Sequence, residues 1–276
     1  MLHSRTDLVL VPVSITDGLN RPVVGLGQSN FQLFENKKPQ QIKNFSTEDA
    51  PVSVGILLDT SGSMANKLER ARDAVQQFCA ASNPADEFFL ITFAEVPRLA
   101  VDFTSHSEAL ADDLLTAHPQ GRTSLLDAIY MGIEKLRTAH YARKALLIIS
   151  DGGDNHSRYS EHDVKTVVRE ADVAVYSIGT FDRWVRTQEE LLGPEMLRDF
   201  ARMTGGMAFA LDSASQMPTV SSNIGTRLRY QYVLAYAPQS TPHDGRWHKI
   251  NIKLLLPKRF AFLHVDARAG YYAAAQ

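Results

Sequence analysis

The 276-residue chain has a single cysteine, Cys79, no run of lysines and arginines, and no apolar stretch long enough to cross a membrane. Each absence removes a class of protein. One cysteine rules out an internal disulfide framework, and Cys79 falls on the apolar face of a predicted helix, where it reads as a core residue. Lysine and arginine (29) nearly balance aspartate and glutamate (31), for a formal net charge of −2, so the basic surface of a nucleic-acid binder is lacking. A spanning helix needs about 18 or more consecutive apolar residues, and nothing approaches that. The opening residues Met1-Leu2-His3-Ser4-Arg5 lack the apolar region of an export signal. Enzyme signatures are missing too. There is no Gly-x-Ser-x-Gly elbow and no Gly-x-x-x-x-Gly-Lys-Ser/Thr loop, and Gly25-Leu26-Gly27 is a lone turn that fails the dinucleotide fingerprint. No internal repeat or low-complexity segment interrupts the chain.

What remains is an ordinary globular composition, 44% hydrophobic and 22% charged, sufficient for one large or two modest cores. Residues 1–50 read as a β segment. Asp7 to Thr16 alternates before the turn Asp17-Gly18-Leu19-Asn20, Phe31 to Glu35 alternates again, and Ile42 to Phe45 is a further short strand. Pro12 inside the first strand points to an edge position or a bulge. These strands are too few to bury a face alone.

From about residue 51 to 228 strands and helices alternate. Val52 to Leu58, Glu87 to Phe93, Lys144 to Ser150, Val173 to Ile178 and Met207 to Leu211 read as strands. Helical stripes run through Met64 to Phe78, Ser107 to Ala117, Ser124 to Thr138, Glu161 to Glu170 and Pro194 to Met203. This rhythm predicts an α/β fold with a doubly wound, mostly parallel sheet. The β rhythm returns over 229–276, in Tyr230 to Tyr236, His248 to Leu256 and Leu263 to Arg268. The simplest topology pairs the two chain ends into a small antiparallel β module with the α/β domain inserted between them.

Val52 to Met64, VSVGILLDTSGSM, is where chemistry gathers. A near-continuous apolar strand ends in Asp59-Thr60-Ser61-Gly62-Ser63, a carboxylate and two hydroxyls at alternate positions, with Gly62 permitting a tight turn. Hard oxygen donors on a strand-to-helix loop suit a small divalent cation; the competing reading is a strand end whose serines cap the next helix. A second apolar strand ends at Ser150-Asp151-Gly152-Gly153-Asp154, and Gly121-Arg122-Thr123-Ser124 opens a helix with Thr123 at the capping position. Ligands of open α/β sheets bind beyond the carboxyl ends of the strands, which puts Asp59 and Asp151 on one edge.

Together the Asp59-to-Ser63 element, the Thr123 loop and the Asp151 loop resemble the metal-ion-dependent adhesion site of von Willebrand factor type A domains, over about Pro51 to Leu228. The flanking β segments, with Arg268-Ala269-Gly270-Tyr271-Tyr272 near the end, are similar to those of a bacterial branch of that family. The resemblance implies a Rossmann-like domain that is not an enzyme. It implies Mg²⁺ (or Mn²⁺ or Ca²⁺) held directly by Ser61, Ser63 and Thr123, with Asp59 and Asp151 acting directly or through water. The implied partner is a protein offering an Asp or Glu carboxylate to the open position of the ion, as in adhesion, and extracytoplasmic placement is favoured.

Other residues carry two readings each. Arg122 either meets the incoming carboxylate or is a solvated loop residue. Phe181 and Trp184, in Thr180 to Leu192, form either a partner-specificity loop or packing beneath that loop. Asp127 orients the Thr123 loop or is an exposed or capping residue. Asp154 and Asn155 are turn residues beside two glycines, or extend the acidic rim or line a second ion. All nine histidines read as surface residues. A phosphatase in which Asp59 is the nucleophile would need a second acid two residues on; Ser61 stands there, so that chemistry lacks its proton donor. A scaffold with a degenerate metal site is the third possibility.

Overall fold

The computed structural model describes residues 8–151, 153–180, 188–238, 244–256 and 262–273. The chain folds into two compact units, one from Met1–Asp49 with Tyr230–Gln276 and the other from Ala50–Arg229. The chain begins with strands β1 (Val9–Thr16), β2 (Phe31–Glu35), β3 (Lys38–Gln40) and β4 (Ile42–Ser46).

The α/β unit then runs β5 (Val52–Asp59), α1 (Leu68–Ala81), β6 (Glu87–Phe93), β7 (Pro97–Thr104), α2 (Ser107–Thr116), α3 (Leu125–Leu136) and β8 (Arg143–Ile149). It continues with α4 (Glu161–Glu170), β9 (Ala174–Thr180), α5 (Gln188–Thr204), β10 (Ala208–Leu211) and α6 (Met217–Arg229). Its six strands form one sheet in the order β10-β9-β8-β5-β6-β7, parallel except for the antiparallel edge pair β6/β7. Every residue of β5 and β6 is buried, as required of strands covered on both faces. Alternation divides them between two cores. Val54, Ile56, Leu58, Phe88 and Leu90 pack with Leu68, Val75 and Phe78 of α1 and Ile224 and Leu228 of α6. Leu57, Phe89, Ile91 and Leu146 pack with Ile129 and Ile133 of α3, Val164 of α4 and Phe200 of α5. From β5 the chain builds to one side through β6 and β7, then crosses to β8 on the other side and builds outward. The strand order therefore reverses between β5 and β8, and in open α/β sheets the ligand crevice lies at such a reversal, outside the carboxyl ends of the strands.

After α6 come β11 (Tyr232–Tyr236), β12 (Trp247–Leu254), β13 (His264–Ala267) and β14 (Gly270–Tyr272). The two chain ends pair, as expected, into antiparallel sheets ordered β13-β1-β11-β4 and β14-β12-β2-β3. Val11, Val13 and Ile15 of one sheet share a core with Leu33, Ile250 and Ile252 of the other. β1 pairs with β11 along Val9 to Val13 but with β13 only from Val13 onward, so Pro12 sits where β13 does not reach. Gly270 explains the first letter of the Gly-Tyr-Tyr motif: a Cβ there would lie 2.6 Å from Trp247 Cζ2 and closer still to the His248 carbonyl.

Several sequence expectations need correction. β3, β7, α6 and β14 lie outside the expected elements, and the strand expected to be the last, Leu263 to Arg268, is followed by β14. The helix expected from Pro194 begins at Gln188, with Pro194 inside it; Pro favours the first helical position, which makes it a false start signal here. His248 is buried, 3% exposed, with Nδ1 3.0 Å from Glu35 Oε1 and Nε2 3.0 Å from Asp244 Oδ1, so it is no surface residue.

Candidate functional site

Three loops meet at the crevice, and backbone hydrogen bonds fasten them to one another. β5 delivers Asp59 as its last residue. Thr60 then folds back, with its N–H and its hydroxyl both donating to Phe93 O at the end of β6, at 2.8 and 3.1 Å. Thr60 O accepts from Gln120 N at 2.9 Å, and Gly62 N donates to Gly121 O at 3.1 Å, so the loop before α3 lies along the loop after β5. Ser124 N and Oγ both donate to Ala94 O at 2.8 Å. Ser124 rather than Thr123 occupies the N-cap of α3, and neither hydroxyl caps it, which corrects the expected role of Thr123. Thr123 is instead held from the third loop: Thr123 N donates to Asn155 Oδ1, and Asn155 N and His156 N both donate to Thr123 O, all at 3.0 Å.

The side chains follow. Asp59 is fully buried; its Oδ1 accepts from Ser61 N at 2.8 Å and its Oδ2 from Ser150 Oγ at 2.6 Å. Burial first, and then the neighbouring charge of Asp151, push the Asp59 carboxyl up to about 7. Ser61 is buried, Ser63 is exposed, and their hydroxyls lie 3.1 Å apart. Thr123 is 4% exposed, and among the described residues its hydroxyl makes no hydrogen bond. Asp151, also buried, meets Lys67 Nζ at 3.3 Å.

This donor set can be tested against a small divalent ion. It consists of hard oxygens, two carboxylates and three hydroxyls, and the hydroxyl of the buried Thr123 has no hydrogen-bond partner among the described residues. That chemistry fits such an ion. No group of three or more His, Cys, Asp or Glu side chains arranged for a metal occurs among the described residues, so hydroxyls would have to supply much of the shell.

Of the remaining candidates, Arg122 is exposed beside Thr123, whereas Phe181 and Trp184 lie outside the described residues. Asp127 is buried and orients the third loop. Its Oδ1 accepts from Arg158 N at 2.9 Å and Tyr159 N at 3.1 Å, and its Oδ2 from Arg158 Nε at 3.1 Å. Asp154 accepts from Leu126 N and the Ser157 hydroxyl and so serves the start of α3, with burial raising its carboxyl above the usual range. Sequence reasoning missed the supports: Ser150 on Asp59, Asn155 on Thr123 and Lys67 on Asp151. Their contacts cross between loops far apart in sequence, and no spacing rule signals them.

Residues 54–153 match a family model described as the von Willebrand factor type A domain. Over that stretch the chain is similar to a von Willebrand factor type A domain. A UPF0353 protein of Mycolicibacterium gilvum (strain PYR-GCK) is 22% identical over 205 residues, which is 65% of this chain and 61% of that protein. The chain thus spans less than two thirds of the length of this curated relative. Among solved structures, a von Willebrand factor type A protein from Catenulispora acidiphila superposes with a TM-score of 0.57 at 12% identity. That match covers 99% of this chain and 75% of the other. The vWF domain of the type V pili tip protein Mfa5 from Porphyromonas gingivalis superposes at 0.51 with 13% identity, over 65% of this chain and 95% of the other. At these identities the superpositions establish the fold of the domain.

Proposed function

We propose that this chain is a non-enzymatic, adhesion-type protein-binding module in which Ser61, Ser63 and Thr123 hold a divalent cation directly. Asp59 and Asp151 contribute directly or through water. Type A domains are often adhesion or protein-interaction modules, and the Mfa5 domain belongs to a pilus-tip protein, which supports this reading and an extracytoplasmic setting. The observation that carries it is Thr123, a buried residue whose hydroxyl has no hydrogen-bond partner among the described residues, in a loop whose Gly121 O accepts from Gly62 N between Ser61 and Ser63. A bound ion supplies a positive centre with an open position for an Asp or Glu carboxylate of a partner protein. The chain's own residues do the rest. Ser150 and Ser61 N hold Asp59 in place, the Asn155 loop holds Thr123, and exposed Arg122 is placed to meet an incoming carboxylate. Phe181 and Trp184 are proposed as further partner contacts. Ser61 stands where a phosphatase would need its acid, and a serine hydroxyl is no such proton donor, so the residues favour binding over phosphoryl transfer.

Melting curves in EDTA, Mg²⁺, Mn²⁺ and Ca²⁺ test the reading. At least one ion should raise the melting temperature of the wild type and none should raise that of Asp59→Ala. A wild type indifferent to all three ions refutes it.

A further inference from the structure

The crevice contains a cation of the protein's own. Lys67 Nζ lies 3.3 Å from Asp151 Oδ2, and the two side chains are only 12% and 6% exposed. The lysine is delivered there by its backbone. Ser61 O accepts Met64 N at 3.1 Å, Met64 O accepts Lys67 N at 2.8 Å, and Lys67 O accepts Ala71 N at 2.9 Å, while the Met64 side chain is fully buried. The turn that presents Ser61 and Ser63 is therefore the same turn that fixes where Lys67 begins. Its ammonium is directed at a carboxylate of the candidate ion site, although solvent would be the cheaper place for a lysine.

We propose that Lys67 sets the divalent-ion affinity and the net charge of this site by neutralising Asp151, an inference that rests on the ion-site reading above. With both carboxylates ionised, Asp59 and Asp151 carry −2 and Lys67 returns the crevice to −1. A divalent ion then leaves a net charge of +1, which favours an incoming carboxylate. Without Lys67 the same ion would be fully neutralised by the protein, would bind more tightly, and would attract an anionic partner less. Lys67 thus trades strength of ion binding for strength of carboxylate binding.

Calorimetric titration of Mn²⁺ into wild type, Lys67→Met, Lys67→Arg and Asp59→Ala tests this, with each protein also melted in EDTA. Lys67→Met should bind Mn²⁺ at least about tenfold more tightly than wild type, and Lys67→Arg within about threefold of it. If Lys67→Met does not fold, Lys67→Gln carries the same expectation, because it also removes the charge but keeps a donor for Asp151. Equal or weaker binding by the neutral variants, with wild type binding normally, overturns the role of Lys67 and leaves the site standing. No binding by any of the four proteins overturns the site and, with it, the role of Lys67.

Discussion

Ser150 donates its hydroxyl hydrogen to Asp59 Oδ2 across 2.6 Å, so the residue that follows β8 holds the residue that ends β5. With Ser61 N on the other oxygen, both atoms of the carboxylate are engaged, yet burial and the charge of Asp151 outweigh these bonds and keep its titration near 7. The consequence for stability has a definite sign. An unfolded aspartate titrates near 3.8, so between 3.8 and about 7 the folded chain holds a proton that the unfolded chain has released. This contribution to stability is complete below 3.8 and is lost as pH rises through 7. In EDTA, raising the pH from about 5 to 8 should therefore cost the wild type on the order of 2 to 3 kcal/mol more than it costs Asp59→Asn. Urea melts of both proteins across that range check it. Parallel pH profiles would show that Asp59 does not titrate there.

Asp127 is the support whose loss should be felt furthest. Removing its carboxylate leaves Arg158 N and Tyr159 N without an acceptor and frees the loop that carries Asn155 and His156 to Thr123 O. Asp127→Ala should lose about 2 to 3 kcal/mol, and Asp127→Asn less, because one acceptor oxygen survives. Hydrogen exchange locates the effect: the Asn155 and His156 amides should exchange faster in Asp127→Ala than the drop in global stability accounts for.

Gly55 in β5 makes room for the ring of Phe89 on β6. A Cβ at position 55 would lie 2.8 Å from Leu146 Cδ1 and closer still to Phe89 Cζ, with the full sheet behind both. Gly55→Ala should cost about 1 to 3 kcal/mol through overpacking. Phe89→Leu should cost less in the Gly55→Ala background than in wild type, since it removes the clashing ring atom. A double-mutant cycle of urea melts gives the coupling; additive costs would mean that position 55 accommodates a methyl without touching Phe89.

The same geometry explains what could be read from sequence. β5 and β8 were legible because a strand covered on both faces is apolar almost without interruption, and α4 because its Ser160 cap, bonded to Asp163 N, precedes a clear apolar stripe. β7 is a half-exposed edge strand whose register with β6 shifts twice, so its sequence PRLAVDFT shows no clean alternation. In α6, MPTVSSNIGTRLR, much of the buried face is Ser221, Gly225 and Arg227, which no hydrophobic count registers. In the crevice, strand ends revealed Asp59 and Asp151, because their position follows from the strand that precedes each. The partners Ser150 and Lys67 stand 91 and 84 residues from the carboxylates they touch, and only the fold brings them there.

In the β module, Tyr271 of the Gly-Tyr-Tyr motif donates its hydroxyl to Glu35 Oε1 at 2.8 Å, and Tyr236 reaches the same oxygen at 3.3 Å. Glu35 is 2% exposed, and His248 Nδ1 lies 3.0 Å from that oxygen. Burial, followed by the bond to Glu35, holds the Tyr271 phenol above its usual value, so it stays a donor at any ordinary pH. One buried carboxylate of the N-terminal strand β2 thus joins three strands of the C-terminal segment, β11, β12 and β14. Tyr271→Phe removes one of several donors and should cost about 1 kcal/mol. Glu35→Ala removes the shared acceptor, leaves both phenols and the imidazole facing an apolar cavity, and should cost about 3 kcal/mol or more. Adding Tyr271→Phe to Glu35→Ala should then cost almost nothing, because the hydroxyl has already lost its acceptor. Urea melts of the two single variants and the double variant decide it: a full additional loss in the double would mean that Tyr271 stabilises the module by its ring alone.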